Sequence, residues 1–146
     1  MDRITFKLVE NDSELKEAFE VRRVVFVEEQ GVDEDIEYDT LDYEALQMVV
    51  KKDDEIIGTA RVRFLAEGEA KIERMAVLKP FRRRGIGSGM MSFLANELRM
   101  QHVERVVLHA QYIVIAFYES CGYSATGSPF WEAGIKHIVM EKRLLG

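Results

Sequence analysis

The spacing of apolar residues changes several times along the chain, and each change marks an element. Ile4 to Val9 reads as a first strand. Asn11, Asp12 and Ser13 supply N-cap candidates, and a helix is predicted from there to about Glu29, stopped by Gly31. Leu15, Ala18, Phe19, Val25 and Phe26 form much of its apolar face. Gly31 to Asp42 is acidic and lacks a clear period, which leaves a loop or a short helix. Ala45 to Lys52 and Ile56 to Leu65 then read as strands joined by the Asp53-Asp54 turn. A second turn at Ala66-Glu67-Gly68-Glu69 leads into a strand from Ala70 to Val77, so three adjacent antiparallel strands are expected.

The pattern then becomes helical. Ile86, Met90, Leu94 and Leu98 recur every four residues, with Met91 and Ala95 beside them. Arg105 to Ala110 is a strand in which Val106 and Leu108 alternate with their neighbours. The path from Val77 through a helix to Val106 predicts a right-handed crossover, which makes those two strands parallel. A short helix from about Val114 to Cys121 should end at Gly122. Tyr123 to Thr126 and Ile135 to Arg143 close the chain as strands. The sum is one α/β domain over all 146 residues, a mixed sheet with helices on both faces.

Composition narrows the function more than the fold. Cys121 is the only cysteine, so neither an intrachain disulfide nor a cysteine-based zinc cluster can form, and no metal is expected. The N-terminus has no apolar run of signal-peptide length. No stretch approaches the ~20 apolar residues of a membrane span. A cytoplasmic protein that does not act on membranes is the expectation. The net charge of −6 argues against a general nucleic-acid binder. Charge is also segregated: Val24 to Val50 holds nine carboxylates and no Lys or Arg, whereas Arg82, Arg83 and Arg84 stand together. The acidic stretch is either a solvated loop or an electrostatic funnel for a cationic partner.

The chemistry concentrates in Glu73-Arg74-Met75-Ala76-Val77-Leu78-Lys79-Pro80-Phe81-Arg82-Arg83-Arg84-Gly85-Ile86-Gly87-Ser88. It runs strand, basic loop, glycines, helix. Free N–H groups and a partial positive charge at a helix N-terminus, glycines that admit a close ligand, and three arginines make a pyrophosphate cradle. A P-loop would need Gly-Lys-Ser/Thr, but Gly87 is followed by Ser88-Gly89. A Rossmann turn would need a third glycine at position 90, which is Met, and Leu78 to Arg84 separate its first glycine from the strand.

What remains is Arg82-x-x-Gly85-x-Gly87, and it resembles the Q/R-x-x-G-x-G/A motif of the GNAT N-acetyltransferase superfamily. Phe117-Tyr118-Glu119-Ser120-Cys121-Gly122-Tyr123 is similar to that superfamily's FYE-x-x-G-[FY] run. Phe26 to Gly31, Leu108 to Gln111 and Ala133 to His137 resemble its small prokaryotic YjcF-like and ElaA-like branch. Asp33, Ile115 and Lys136 depart from it, standing where the branch often has proline.

The resemblance implies a GNAT fold of six to seven strands, splayed between the fourth and fifth. Acetyl-coenzyme A would lie in the gap, its pantetheine arm against Met75, Ala76 and Val77 and its pyrophosphate on Arg82, Arg83, Arg84, Gly85, Ile86, Gly87 and Ser88. Gln111 and Phe117 would line the arm and thiol end. The N–H of Val77 or a neighbour would polarise the thioester carbonyl. The reaction implied is direct acetyl transfer to an amine within a ternary complex, with no acyl-enzyme. Monomer and homodimer both fit the resemblance.

Such a reaction makes two demands. An amine of pKa about 10.4 is neutral in roughly one molecule per thousand at pH 7, so a base or a relaying water is needed. The departing thiolate is helped by a proton donor, which a tyrosine can be. Tyr118 matches the family's thiolate-protonating tyrosine, and Glu73 stands where family members place a water-relaying base. His109 and His137 are further base candidates, although a histidine near a strand end is more often simply hydrogen-bonded in place. Cys121 and His102 read as structural. A non-catalytic acyl-coenzyme A sensor or docking module would use the same cradle and is the alternative function; Tyr118 and Glu73 favour an enzyme.

Overall fold

The computed structural model describes residues 3–144. Seven strands form one sheet in the order β1-β2-β3-β4-β5-β7-β6. They are β1 (Ile4–Leu8), β2 (Leu46–Lys52), β3 (Glu55–Phe64), β4 (Glu69–Val77), β5 (Arg105–Gln111), β6 (Ser124–Glu132) and β7 (Ile135–Arg143). Only β4 and β5 pair in parallel, as the crossover through α3 (Ile86–Met100) requires.

The two faces are covered by different helices. Ile86, Met90, Met91, Leu94 and Leu98 of α3 pack on Met48, Ile57, Val62, Ile72 and Leu108 of the sheet. Each such buried side chain contributes about 1.5–3 kcal/mol. Gly89 lets α3 approach β1: a Cβ there would strike the Phe6 ring. The short α4 (Ile115–Ser120) joins the same side through Ile115, Phe117 and Tyr118. On the opposite face α1 (Asp12–Arg22) seats Ala18 and Val21 against Val49, Ile56 and Ala76. Asn11 caps α1 by accepting from the Glu14 N–H. The predicted helix does reach Glu29, but from Arg23 it is wound as a π-helix. The acidic stretch contains α2 (Glu34–Glu37) and a 3-10 turn, Thr40–Tyr43.

Two features of the sheet differ from expectation. Strand β6 continues to Glu132 instead of stopping at Thr126, with its register shifted between Thr126 and Phe130. Pro129 is tolerated because β6 is the last strand of the sheet. Strand β4 carries a bulge: its register to β3 shifts between Thr59 and Arg61, and Arg74 has φ 55°. An extra residue flips side-chain parity. Ala70 and Ile72 therefore face α3, yet beyond the bulge Ala76 faces α1.

Candidate active site

The parallel pairing of β4 and β5 runs from Glu69–Arg105 to Ile72–Leu108 and ends there. Beyond it the two strands diverge as a fork. A cleft of about 900 Å³ occupies the fork and is lined from both arms, from α2, from the loop before α3 and from α4. The sheet is thus splayed between its fourth and fifth strands. Glu73, Met75, Ala76, Val77, Arg82, Arg83, Gly85, Ile86, Gly87, Ser88, Gln111, Phe117 and Tyr118 all line the cleft. Arg84 stays outside its wall, exposed, with its guanidinium 6.0 Å from the Phe81 ring centre.

At one end the fork meets the N-terminus of α3. Gly85 precedes the helix at φ 80°, a conformation that suits glycine, and the Gly89 N–H makes the first helical bond, to Gly85 O. The N–H groups of Ile86, Gly87 and Ser88 therefore have no partner within the helix and open on the cleft. Gly87 has a packing role as well, since a Cβ there would lie 3.0 Å from Phe117. Arg82 does not extend toward this cradle. Its Nε donates to Val77 O (2.8 Å), and its two terminal nitrogens grip Glu29 at 2.6 and 2.8 Å. On the β5 arm, Gln111 donates to Gln30 Oε1 at 2.9 Å. The end of the π-helix is thereby tied to both arms of the fork.

Along β4, the Leu78 N–H donates to Ile57 O on β3. Alternation then turns the Val77 N–H toward the fork. Tyr118 reaches the same region, its hydroxyl 3.8 Å from Met75 Sδ. Burial pushes the Tyr118 phenol up to about 12, so it stays protonated across any working pH.

The bulge residue and the acidic stretch are locked together. Arg74 donates to Ile36 O and Glu37 O (both 3.3 Å) and to Asp39. Arg22, fully buried, binds Glu37 at 2.7 Å and Asp42 at 2.6 Å. Arg61, also buried, binds Asp39 at 2.7 Å and Asp42 at 3.1 Å. Glu28 and Glu29 pair with Arg23 and Arg82. Much of the acidic stretch is thus neither a solvated loop nor an open funnel but one side of an arginine–carboxylate network. Among the described residues no ion pair joins Asp33, Glu34 or Asp35.

Glu73 is part of this network. It accepts from Arg63 Nε, and Arg61 and Lys71 each stand 3.4 Å away. Burial pushes its carboxyl up, but the Arg63 hydrogen bond and the charges of Lys71 and Arg61 outweigh that and hold it below the usual carboxylate range. Opposite, His109 Nδ1 faces Glu132 at 3.2 Å. His137 donates through Nδ1 to Ile135 O (2.7 Å), and its Nε2 is 3.9 Å from Glu132. Cys121 packs among the core residues of α4, and its carbonyl accepts from Lys142 Nζ.

Sequence reasoning missed Gln30, Glu132, the bulge at Arg74 and the partners of Arg82. Charged residues recurring at Arg61 and Arg63 inside an apolar strand were the available signal for the network.

Residues 10–144 match the family model described as an acetyltransferase (GNAT) domain. YjcF of Bacillus subtilis, an N-acetyltransferase itself uncharacterized, is 35% identical over 136 residues, covering 92% of this chain and 96% of YjcF. The crystal structure of an acyl-CoA N-acyltransferase from Pseudomonas aeruginosa superposes with TM-score 0.82 at 26% identity, over 97% of this chain and 99% of that one. Escherichia coli ElaA has the same fold, with TM-score 0.81, 24% identity and the same coverage.

Proposed function

The chain belongs to the GNAT acetyltransferase family, and on that premise we propose that it moves an acetyl group from acetyl-coenzyme A directly to an amine. The observation that carries this reading is the fork itself. A single cleft joins an anion-binding helix terminus, strand edge N–H groups and a protonated tyrosine.

The parts have distinct tasks. The N–H groups of Ile86, Gly87 and Ser88 take the pyrophosphate, and Arg83 and Arg84 add positive charge. Met75 to Val77 offer a strand edge to the pantetheine arm, with Gln111 and Phe117 along it. The Val77 N–H stabilises charge that develops on the carbonyl oxygen. Bound acetyl-coenzyme A supplies the activated acyl group; the chain orients it and manages two protons.

Tyr118 serves the sulfur. A thiolate whose acid has pKa about 8.5 is a weaker base than a tyrosinate whose acid titrates at about 12. The hydroxyl therefore contributes chiefly a charge-assisted hydrogen bond to the leaving sulfur. Glu73 and His109, one on each arm of the fork, are the two candidates to receive the amine's proton. Asp33, Glu34 and Asp35, near the α2 side of the cleft, favour a cationic acceptor.

The test is thiol release from acetyl-coenzyme A across a panel of small amines, polyamines and lysine peptides, with product masses determined. Thiol release that requires an amine and yields its N-acetyl derivative supports the proposal. Tight coenzyme A binding without product from any amine would point instead to a sensor or docking module.

A further inference from the structure

Two polar groups stand at the branch point of the fork, and they are not equivalent. Glu73 follows Ile72 and His109 follows Leu108, the last bonded pair of β4 and β5. Ile72 and Leu108 face α3, so both polar side chains are turned to the other face, where α1 and α2 lie. Glu73 is already engaged by Arg63, Arg61 and Lys71.

His109 is arranged differently. Its Nδ1 is 3.2 and 3.3 Å from the two oxygens of Glu132. A carboxylate accepts only, so Nδ1 carries the hydrogen and Nε2 is left with a free lone pair. Phe130 packs edge-on against the ring at 5.0 Å and fixes its plane. The Glu132 carboxylate, held below its usual range first by the His109 hydrogen bond, remains an anion. His137 is the poorer candidate: it is buried, and its Nε2 faces the Glu132 carboxylate at 3.9 Å.

Resting on the acetyl-transfer reading above, we propose that His109 is the general base of the reaction and Glu132 its positioning residue. His109 Nε2 takes a proton from the attacking amine, directly or through one water. The new N–C bond forms as the C–S bond breaks, and the sulfur leaves as thiolate, hydrogen-bonded by Tyr118 and finally protonated to the thiol. The proton on His109 returns to solvent, to which Glu132 is open with its side chain 47% exposed. Besides Glu132 on β6 and His137 on β7, the charged groups on this side of the fork are Lys71 and Glu73 on β4, with Arg61 and Arg63 of β3 on Glu73, and across the cleft Glu37 and Asp39, both paired with Arg74.

The experiment is the pH profile of kcat/KM for the full chain with an amine that it acetylates, with coenzyme A affinity measured in parallel. His109→Gln keeps a hydrogen-bonding partner for Glu132 but accepts no proton; His109→Ala checks it. Both should lose about 100-fold or more near neutral pH, with coenzyme A affinity unchanged. The loss should shrink as pH approaches the amine's own pKa. Glu132→Gln removes the charge that holds the Nδ1–H tautomer and the ring orientation, so kcat should fall about tenfold with KM little changed, and Glu132→Asp should restore part of the loss. Wild-type rates in both His109 variants, or an equal loss at every pH, would overturn the base assignment alone. Full kcat in Glu132→Gln would overturn the pairing. A wild type that binds acetyl-coenzyme A yet acetylates no amine would overturn the transfer reading and the base with it.

Discussion

Glu73 and His109 each stand one residue beyond Ile72–Leu108, the last pair of the parallel strands, on opposite arms of the fork. One is a carboxylate saturated by cations; the other is an imidazole held by a carboxylate. The cations around Glu73 hold its carboxyl below the usual range and disfavour its protonated form.

Glu73→Gln is therefore expected to cost activity by the same factor from pH 6 to pH 9, because the side chain anchors Arg61 and Arg63 rather than titrating. The melting temperature should fall as well, since Arg61 is buried and loses one of its counter-charges. Rate profiles and thermal melts measure both. A loss confined to neutral pH would make Glu73 the base after all.

Tyr118→Phe removes one charge-assisted hydrogen bond, worth about 1.5–3 kcal/mol. The expected fall in kcat is about tenfold to a hundredfold, with little change in coenzyme A affinity. Steady-state kinetics with a good acceptor, alongside calorimetry, provides the check; full kcat in the variant would remove Tyr118 from the mechanism.

The cradle is tested by charge and by ligand. Arg83→Ala with Arg84→Ala should weaken coenzyme A several-fold and leave pantetheine, which lacks the pyrophosphate, unaffected. Calorimetry at two salt concentrations should show the wild-type preference for coenzyme A shrinking as salt rises. Gly87 is a poorer probe, because any side chain there also strikes Phe117.

Stability should depend on the arginine network. Arg22→Met leaves Glu37 and Asp42 buried without their main cation, and a loss of about 3–5 kcal/mol is expected in urea unfolding. Asp39 adds a pH dependence. The hydrogen bond from Arg61 pushes its carboxyl down to about 2. A depressed carboxyl contributes stability above its unfolded pKa of about 3.9 and loses it as pH falls toward 2. Asp39→Asn should flatten the stability profile in that acid window.

Local pattern carried far in this chain. Strand β7 occupies the predicted Ile135–Arg143, and the four-residue recurrence of Ile86, Met90, Leu94 and Leu98 is the buried stripe of α3. The fork followed from the family resemblance, and the glycine-opened start of α3 from the Arg82 to Gly87 motif. Three things were illegible for a common reason: they depend on partners distant in sequence. The acidic stretch looked unpaired because its cations come from Arg22, Arg61 and Arg74, outside it. The run of β6 beyond Thr126 passes through Pro129, which an edge strand accommodates, and the edge position is set by pairing with β7 alone. The bulge at Arg74 places a non-glycine residue at positive φ, which no local preference predicts; α2 carbonyls hold it there.

Direct transfer at the fork is tested by following a carbon-labelled acetyl group. Acetyl-coenzyme A labelled at the carbonyl is mixed with chain and amine, and the intact chain and the products are weighed by mass spectrometry through the reaction. The label should appear only in the N-acetylated amine, with one thiol released per amide and the chain's mass unchanged. Label retained on the chain, or thiol released without amide, would contradict it.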